Sequence, residues 1–491
     1  MPFSSLPLDV LIHLFSIVDG ESLLKCREVC RTFSTLISND IGLQYKLELY
    51  HSGMINDPTK YSKISTNQRL ESLRTFLSRP QRWAETWPEE TILGTEGIGN
   101  FLEWLWVYDS KLLACLTTAF HLRCFEFGPP GSVVPYRQWD VTPEPHLHRP
   151  KSLSIDQKQD LLVLADSVGV FGASLLRIHI LSLSGGSPHP NAMKPFIEIR
   201  KYVENGFTLS LESRIYENLL AIGISQAFIS QAMEIAIFDW TTGERLGVIL
   251  GSEYMFFDTQ HILLGRPHPE QNHGVLEIHS IGRSQPLIVL LLGVPRPLHL
   301  LFGKNTSARG VSDQYSFTSD PDLTMITCSL RYHSTETQIL CIFPAFVIRN
   351  LLEESCQNND DDTSETPMEI PWGTWPQCTF IWPVHSQRAP IYTAGNRVAS
   401  SHHNKDEEET LMIYQFHPRW IRHPMTFRDL GQDNLHSGLD SAPVLYGMER
   451  IETVPLPKPE MVITTGRVDK VWMDDGLLVV VQPAGVTFAR A

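Results

Sequence analysis

Cys26 and Cys30 are the first residues in the chain whose spacing invites chemistry, because two thiolates one helical turn apart can share a metal ion. A zinc site needs a second pair of ligands, and none follows at suitable spacing. No CxxC occurs either, so the two read as buried thiols of a helical core. His146 and His148, in the stretch HLH, and the pair His402–His403 lack Cys or carboxylate companions and read as solvated histidines in loops. GKNTS (303–307) echoes the end of a phosphate-binding loop, but Leu298 stands where its first glycine belongs and Asn305 where Ser or Thr belongs. It reads as a turn. HExxH, GxSxG and a GxGxxG opening a helix are absent from the sequence. Carboxylates are plentiful enough for glycosidase-type pairs, which keeps an enzyme as a rival reading. The sequence predicts no catalytic residue, no metal and no cofactor.

The elements that would have to position any site fall into two textures. At 491 residues the chain exceeds the size at which one core stops growing, so several domains or a repeat architecture are expected. The composition is globular, 42% hydrophobic and 19% charged, and the net charge of −15 argues against nucleic acid or an anionic membrane as a partner. Eight cysteines scattered along the chain form no disulfide framework and suit a reducing compartment. No Lys or Arg precedes Lys25, as a secretion signal would require, and the longest later apolar run, PLIVLLLGV (286–294), is far short of the ~20 residues of a membrane span. A cytoplasmic or nuclear location is the expectation.

The first ninety residues have helical spacing. Wound at about 100° per residue, Pro7 to Val18 places Leu8, Leu11, Ile12 and Phe15 on one face and Val10, Leu14 and Ile17 on the opposite one. Only Asp9, His13 and Ser16 remain as a polar wedge. A surface helix has one apolar stripe, so two opposed stripes require two covering surfaces. Asp19 and Asn39-Asp40 read as helix starts, with Leu43, Leu47 and Tyr50 opposing Ile41, Tyr45 and Leu49 in the helix after Asp40. Ser65 and Gln68 form a capping box for a helix over 66–78, with Leu70, Leu73 and Leu77 as its stripe and Pro80 after it. Trp83 and Trp87 follow, in a segment expected to dock the helices onto the next domain.

From about residue 98 the texture changes to short β-like runs in pairs, among them LLVLADS with LLRIHILSL and LLAIGIS with MEIAIFDW. FDWTTGERL (238–246) resembles the end of a WD repeat, with Phe238-Asp239 in the Trp-Asp slot. Strand clusters begin near 101, 151, 207, 254, 313, 378 and 445, which predicts a β-propeller of seven blades, with six as the alternative count and paired β-sandwiches as the alternative fold. Two acid-rich tracts, 353–369 and 399–410, read as solvated, disordered insertions.

The opening residues resemble an F-box, the helical module that joins the Skp adaptor of SCF-type ubiquitin ligases. The likeness rests on Leu6-Pro7 with Asp9, the apolar Val10, Leu11, Leu14 and Phe15, the break at Asp19, the pair Leu23-Leu24, and Val29-Cys30-Arg31 followed by Phe33 where the family usually has Trp. It implies a multidomain chain of helices plus all-β repeats: an F-box over 4–52, a helical linker over 53–97 and a β-propeller over 98–491. One face of Pro7–Val18 is then expected to pack on Leu23, Val29, Cys30 and Phe33 and the other on the adaptor. The docking contact is assigned to Leu6, Pro7, Leu8, Leu11, Ile12, Phe15, Leu23 and Leu24. The implied role is a non-catalytic substrate receptor, tied through the adaptor to a cullin–RING scaffold and holding a protein substrate on the propeller. The rivals are an F-box scaffold with no degradative role and an enzyme with its site in the propeller.

Overall fold

The computed structural model describes residues 6–57 and 64–78. From 93 to 490 it describes the strands and helix given below and the turns within 150–170, 173–202, 209–226, 233–267, 273–295 and 316–331. The segment holding Trp83 and Trp87, the stretch HLH (146–148) and residues 359–366 lie outside the described residues.

Five helices come first: α1 (Leu8–Ile17), α2 (Gly20–Val29), α3 (Arg31–Asn39), α4 (Ile41–Ser52) and α5 (Thr66–Leu77). Each boundary has a local cause. The Asp19 carboxylate accepts from the Ser22 N–H at the start of α2, and Asp40 accepts from the Leu43 N–H at the start of α4. Gly53, at φ +70°, ends α4 in a left-handed conformation that an L side chain adopts only at a cost. Ser65 and Gln68 form the expected reciprocal box on α5. Helix α4 is the shared wall of two cores. Leu43 and Leu47 face Leu11, Phe15, Leu23, Phe33, Leu36 and Ile37, while Tyr45 and Leu49 face Met54, Leu70, Leu73 and Phe76.

The second core is completed from a distance. Strand Met54–Asn56 pairs antiparallel with Phe317–Ser319, and Phe317, 1% exposed, enters the core with its ring edge-on to Phe76 at 5.4 Å. The Asp57 N–H donates to the Ser316 carbonyl and the Asp320 N–H to the Gly53 carbonyl, each at 2.9 Å. The start of the linker, ahead of α5, is therefore one strand of a ribbon shared with the sheet domain.

That domain is a β-propeller of seven blades among the described residues. Each is an antiparallel meander with four principal strands, and the blades span 105–141, 152–202, 209–251, 253–295, 299–384, 391–465 and 470–490. Consecutive sheets touch in chain order. The apolar clusters lie between sheets. Leu122 and Cys124 of the first blade meet Leu162 and Leu164 of the second. Val163 and Ala165, on the opposite face of that strand, meet Leu220 and Ile222 of the third. Leu219 and Ile237 in turn meet Ile262 and Leu264 of the fourth. The last blade borrows its fourth strand from before the first, since Leu93–Gly94 pairs with Gly485–Val486. The outer edge of the last blade is thereby covered by chain from before the first.

Several expectations are corrected. The fifth blade begins at His299 rather than near 313, Phe380–Val384 is its last strand rather than the start of the sixth, which begins at Ile391, and the seventh begins at Lys470 rather than near 445. Phe380–Val384 is set apart by an insertion between the third and fourth strands of the fifth blade. There the helix α6 (Ala345–Asn358) buries Ala345, Val347, Ile348 and Leu352 against the fourth and fifth blades. The acid-rich tract 353–369 is thus in part ordered: Glu353 and Glu354 are the exposed side of α6, and Met368–Ile370 pairs in parallel with Ile288–Leu290. Likewise 399–410 consists largely of the arms of a hairpin, Arg397–His403 with Glu409–Gln415, where alternation rather than composition sets the structure.

Candidate functional site

Helix α1 answers the question raised by its two stripes. Leu11 and Phe15 point inward, 2% and 4% exposed, and the Phe15 ring meets Phe33 edge-on at 5.1 Å. On the other side Val10 is 42% and Ile17 67% exposed, with Leu14 half-buried between them. Leu8, Val29 and Ile41 add further exposed apolar side chains to the same helical module. The carbonyl of Ser16 accepts from Lys46 Nζ of α4 at 2.7 Å, fixing the C-terminal end of α1 against the module. At the α1–α2 turn the Asp19 carboxyl is held below its ordinary range, first by the Ser22 N–H and then by the Ser22 hydroxyl, at 2.8 and 2.9 Å. Gly20 is required by packing there, since a Cβ would lie 2.4 Å from that of Tyr50.

The docking residues assigned from the sequence divide three ways. Pro7 and Leu8 are exposed, and Leu6, Ile12 and Leu24 are half-buried against the module's core. Leu11, Phe15 and Leu23 are buried in that core and present nothing to a partner. Leu11 and Phe15, assigned to the adaptor contact, are therefore on the covered side of α1, while Leu8 of the same assignment stays exposed. The Leu11/Phe15 stripe packs on Leu23, Phe33, Leu36 and Ile37, with the Phe15 ring edge-on to Phe33. Val29 and Cys30, expected inside, are exposed, because α2 ends at Val29 and the extended backbone of Cys30 carries the chain into α3. Val10, Leu14 and Ile17 were visible in the sequence as a stripe, whereas nothing in it marked Val29 or Ile41 as exposed.

In the sheet domain several charged and thiol groups are held in pairs. Glu277, 1% exposed, accepts from Arg266 Nε at 2.7 Å and lies 3.0 Å from His279 Nε2. Arg214 bridges Glu212 and Glu253 where the third and fourth blades meet. These are paired charges inside a structural wall. Cys328 and Cys341 sit opposite each other on adjacent strands as buried free thiols. Among the described residues no group of three or more His, Cys, Asp or Glu could hold a metal, and no helix is long and apolar enough to cross a membrane. In FDWTTGERL, the Asp239 carboxylate accepts from the N–H groups of Thr241 and Thr242 and so builds the turn between two strands.

Residues 3–47 match the family model described as F-box-like, and the helical module is F-box-like. No curated protein matches the chain. Solved structures similar to it include Sqt1 of Chaetomium thermophilum bound to the N-terminus of the ribosomal protein L10, at 9% identity over 78% of this chain and 81% of that one, with a TM-score of 0.36. The WD40 domain of SCAP from fission yeast is similar at 7% identity over 80% and 96%, with a TM-score of 0.32. A subtype N10 neuraminidase-like protein of A/little yellow-shouldered bat/Guatemala is similar at 10% over 67% and 91%, with a TM-score of 0.28. These likenesses are too distant to carry meaning, and the propeller rests on the strand pairing described above.

Proposed function

We infer that the chain is a substrate receptor of an SCF-type ubiquitin ligase, acting in the cytoplasm or nucleus without catalysis of its own. The open face of α1, Val10, Leu14 and Ile17, with Leu8 beside its start, binds a Skp-type adaptor that joins a cullin–RING scaffold. The propeller holds a protein substrate. The observation that carries this reading is the exposed stripe itself, opposite a stripe that is already buried: a chain keeps such a surface when another molecule covers it. The mechanism is proximity, because holding a substrate lysine beside a charged ubiquitin carrier raises the effective concentration of the reacting groups. The shared ribbon at Met54–Asn56 and Phe317–Ser319 supports it by tying the adaptor-binding end to the fifth blade.

Co-purification with the adaptor tests the reading. Val10→Asp and Ile17→Asp each place a carboxylate in an apolar contact and are expected to weaken binding on the order of a hundredfold, or about 3 kcal/mol. Because both side chains already face water, the melting temperature of the free chain is expected to stay within about two degrees. Wild-type adaptor yield in both variants would overturn the reading.

A further inference from the structure

We propose that the outer strand of the second blade, Phe196–Tyr202, is a homodimerisation edge that pairs antiparallel with the same strand of a second copy of this chain. Its inner side pairs with Ala173–Ser182 in an unbroken register, and among the described residues no strand covers its outer side. The Ile180 N–H donates to the Pro195 carbonyl, so the odd-numbered residues turn their amides inward and Phe196, Glu198, Arg200 and Tyr202 turn theirs to the open edge. Only the Tyr202 carbonyl has a described partner there, Gln226 Nε2 at 3.5 Å.

Several other outer strands are protected in ways this one is not. The ladder of the first blade's outer strand is bulged at Glu126/Phe127 and that of the third at Ile237/Phe238. The fourth blade's outer edge is covered by Met368–Ile370, and the fifth blade's outer strand contains Pro383. Bulges, prolines and covering segments are the usual defences of an edge against pairing with another chain. Phe196–Tyr202 has none of these three; its charges are Glu198, Arg200 and Lys201, of which Lys201 is paired with Glu234 of the third blade, and it exposes Phe196 at 41% and Tyr202 at 76%.

The choice of a second copy rests on the order of residues in FIEIRKY. A two-fold axis through Ile199 sets Glu198 opposite Arg200 of the second copy and Arg200 opposite its Glu198, while Phe196 faces Tyr202 at both ends. The open-edge amides of these four residues are then the ones that meet, which is the register an antiparallel pair requires. Glu198 already holds Arg177 of the neighbouring strand at 2.9 Å, and Arg200 has no partner among the described residues. A bare like-charged edge would repel its own copy, whereas this one is charge-complementary to itself. The inference is independent of the adaptor reading, since the strand belongs to the propeller.

Sedimentation velocity on the full chain across a concentration series tests it. The wild type is expected to show a monomer–dimer equilibrium. Arg200→Glu sets carboxylates opposite each other at both symmetry-related positions and is expected to raise the dimer dissociation constant at least about tenfold. The double swap Glu198→Arg/Arg200→Glu restores opposite charges across the axis and is expected to recover the dimer. Melting curves establish that each variant is folded. A wild type that stays monomeric throughout, a dimer indifferent to Arg200→Glu, or a loss that the double swap fails to rescue would each overturn the proposal. Should a variant fail to fold, hydrogen exchange on the wild type decides alone: protection of the Glu198, Arg200 and Tyr202 amides that rises with protein concentration supports the pairing, and exchange there that is indifferent to concentration overturns it.

Discussion

Helices α1 and α4 carry the same pattern, apolar residues on both sides of a short helix, and end in different situations. In α4 both sides are covered by the chain itself: Leu43 and Leu47 by the first three helices, Tyr45 and Leu49 by α5 and Phe317. In α1 the Leu11/Phe15 side is covered and the Val10/Ile17 side is open. A doubly apolar helix therefore signals two contacts without saying whose. For α4 the second contact is a residue of the fifth blade, remote in sequence. For α1 no described residue supplies it, and that gap supports assigning it to a partner.

The contrast between the two helices should collapse most completely at the covered faces. Leu11→Asp buries an unpaired carboxylate in the first core and is expected to unfold the helical module at a cost of several kcal/mol. Hydrogen exchange should show α1 to α3 losing protection while the blades keep theirs. Such a variant would also lose the adaptor, so only the open-face substitutions separate docking from folding.

Phe317→Ala empties the junction from the propeller side and is expected to cost about 3–5 kcal/mol, as truncations of buried phenylalanine do. The loss should appear in α5 and in Met54–Asn56, far along the chain from the substituted residue. Chemical denaturation followed by a probe in the helices checks this. A change confined to the fifth blade would mean that α4's second face does not depend on Phe317.

Smaller effects resolve the two cores more finely. Ser65→Ala removes one half of the α5 capping box and is expected to cost about 1 kcal/mol. It should register in the α5 amides and leave α1 to α3 unchanged. The Asp19 carboxyl, held below its ordinary value of 3.8 first by the Ser22 N–H, favours the fold in its charged form. Its contribution is therefore complete above that value and is lost as the pH falls through the lower folded-state value. Replacing it by Asn keeps a cap that does not titrate, so acid titration of the helical module should be shallower in Asp19→Asn than in the wild type.

Much of this was legible in the residues, for identifiable reasons. The cap at Asp19, the box at Ser65/Gln68 and the two stripes of α1 are local patterns, and the helices follow them. The first four blades begin where their strand pairs begin, because each is a run of adjacent meanders. The sixth was displaced by the insertion carrying α6, whose polar half reads as a solvated acidic tract, while the fifth opens on a strand of only four residues, His299–Phe302. Which stripe of α1 faces inward is settled by its packing on Leu23, Phe33, Leu36 and Ile37, and the completion of the second core depends on Phe317. Neither is set by spacing within a helix, since each is a contact made only once the chain has folded back on itself.

The ribbon between Met54–Asn56 and Phe317–Ser319 also orders events during synthesis. The ribosome delivers α5 long before the fifth blade, and at ~5–20 residues per second the interval between Phe76 and Phe317 is roughly 10–50 s. Through that time Leu70, Leu73 and Phe76 have no Phe317 to close over them, and Tyr45 and Leu49 share the opening. The nascent chain thus presents two sticky helical faces at once, one of which its own later translation removes. A ribosome stalled within the first four blades would hold the module in that half-covered state, a form distinct from the finished protein and suited to capture by a chaperone.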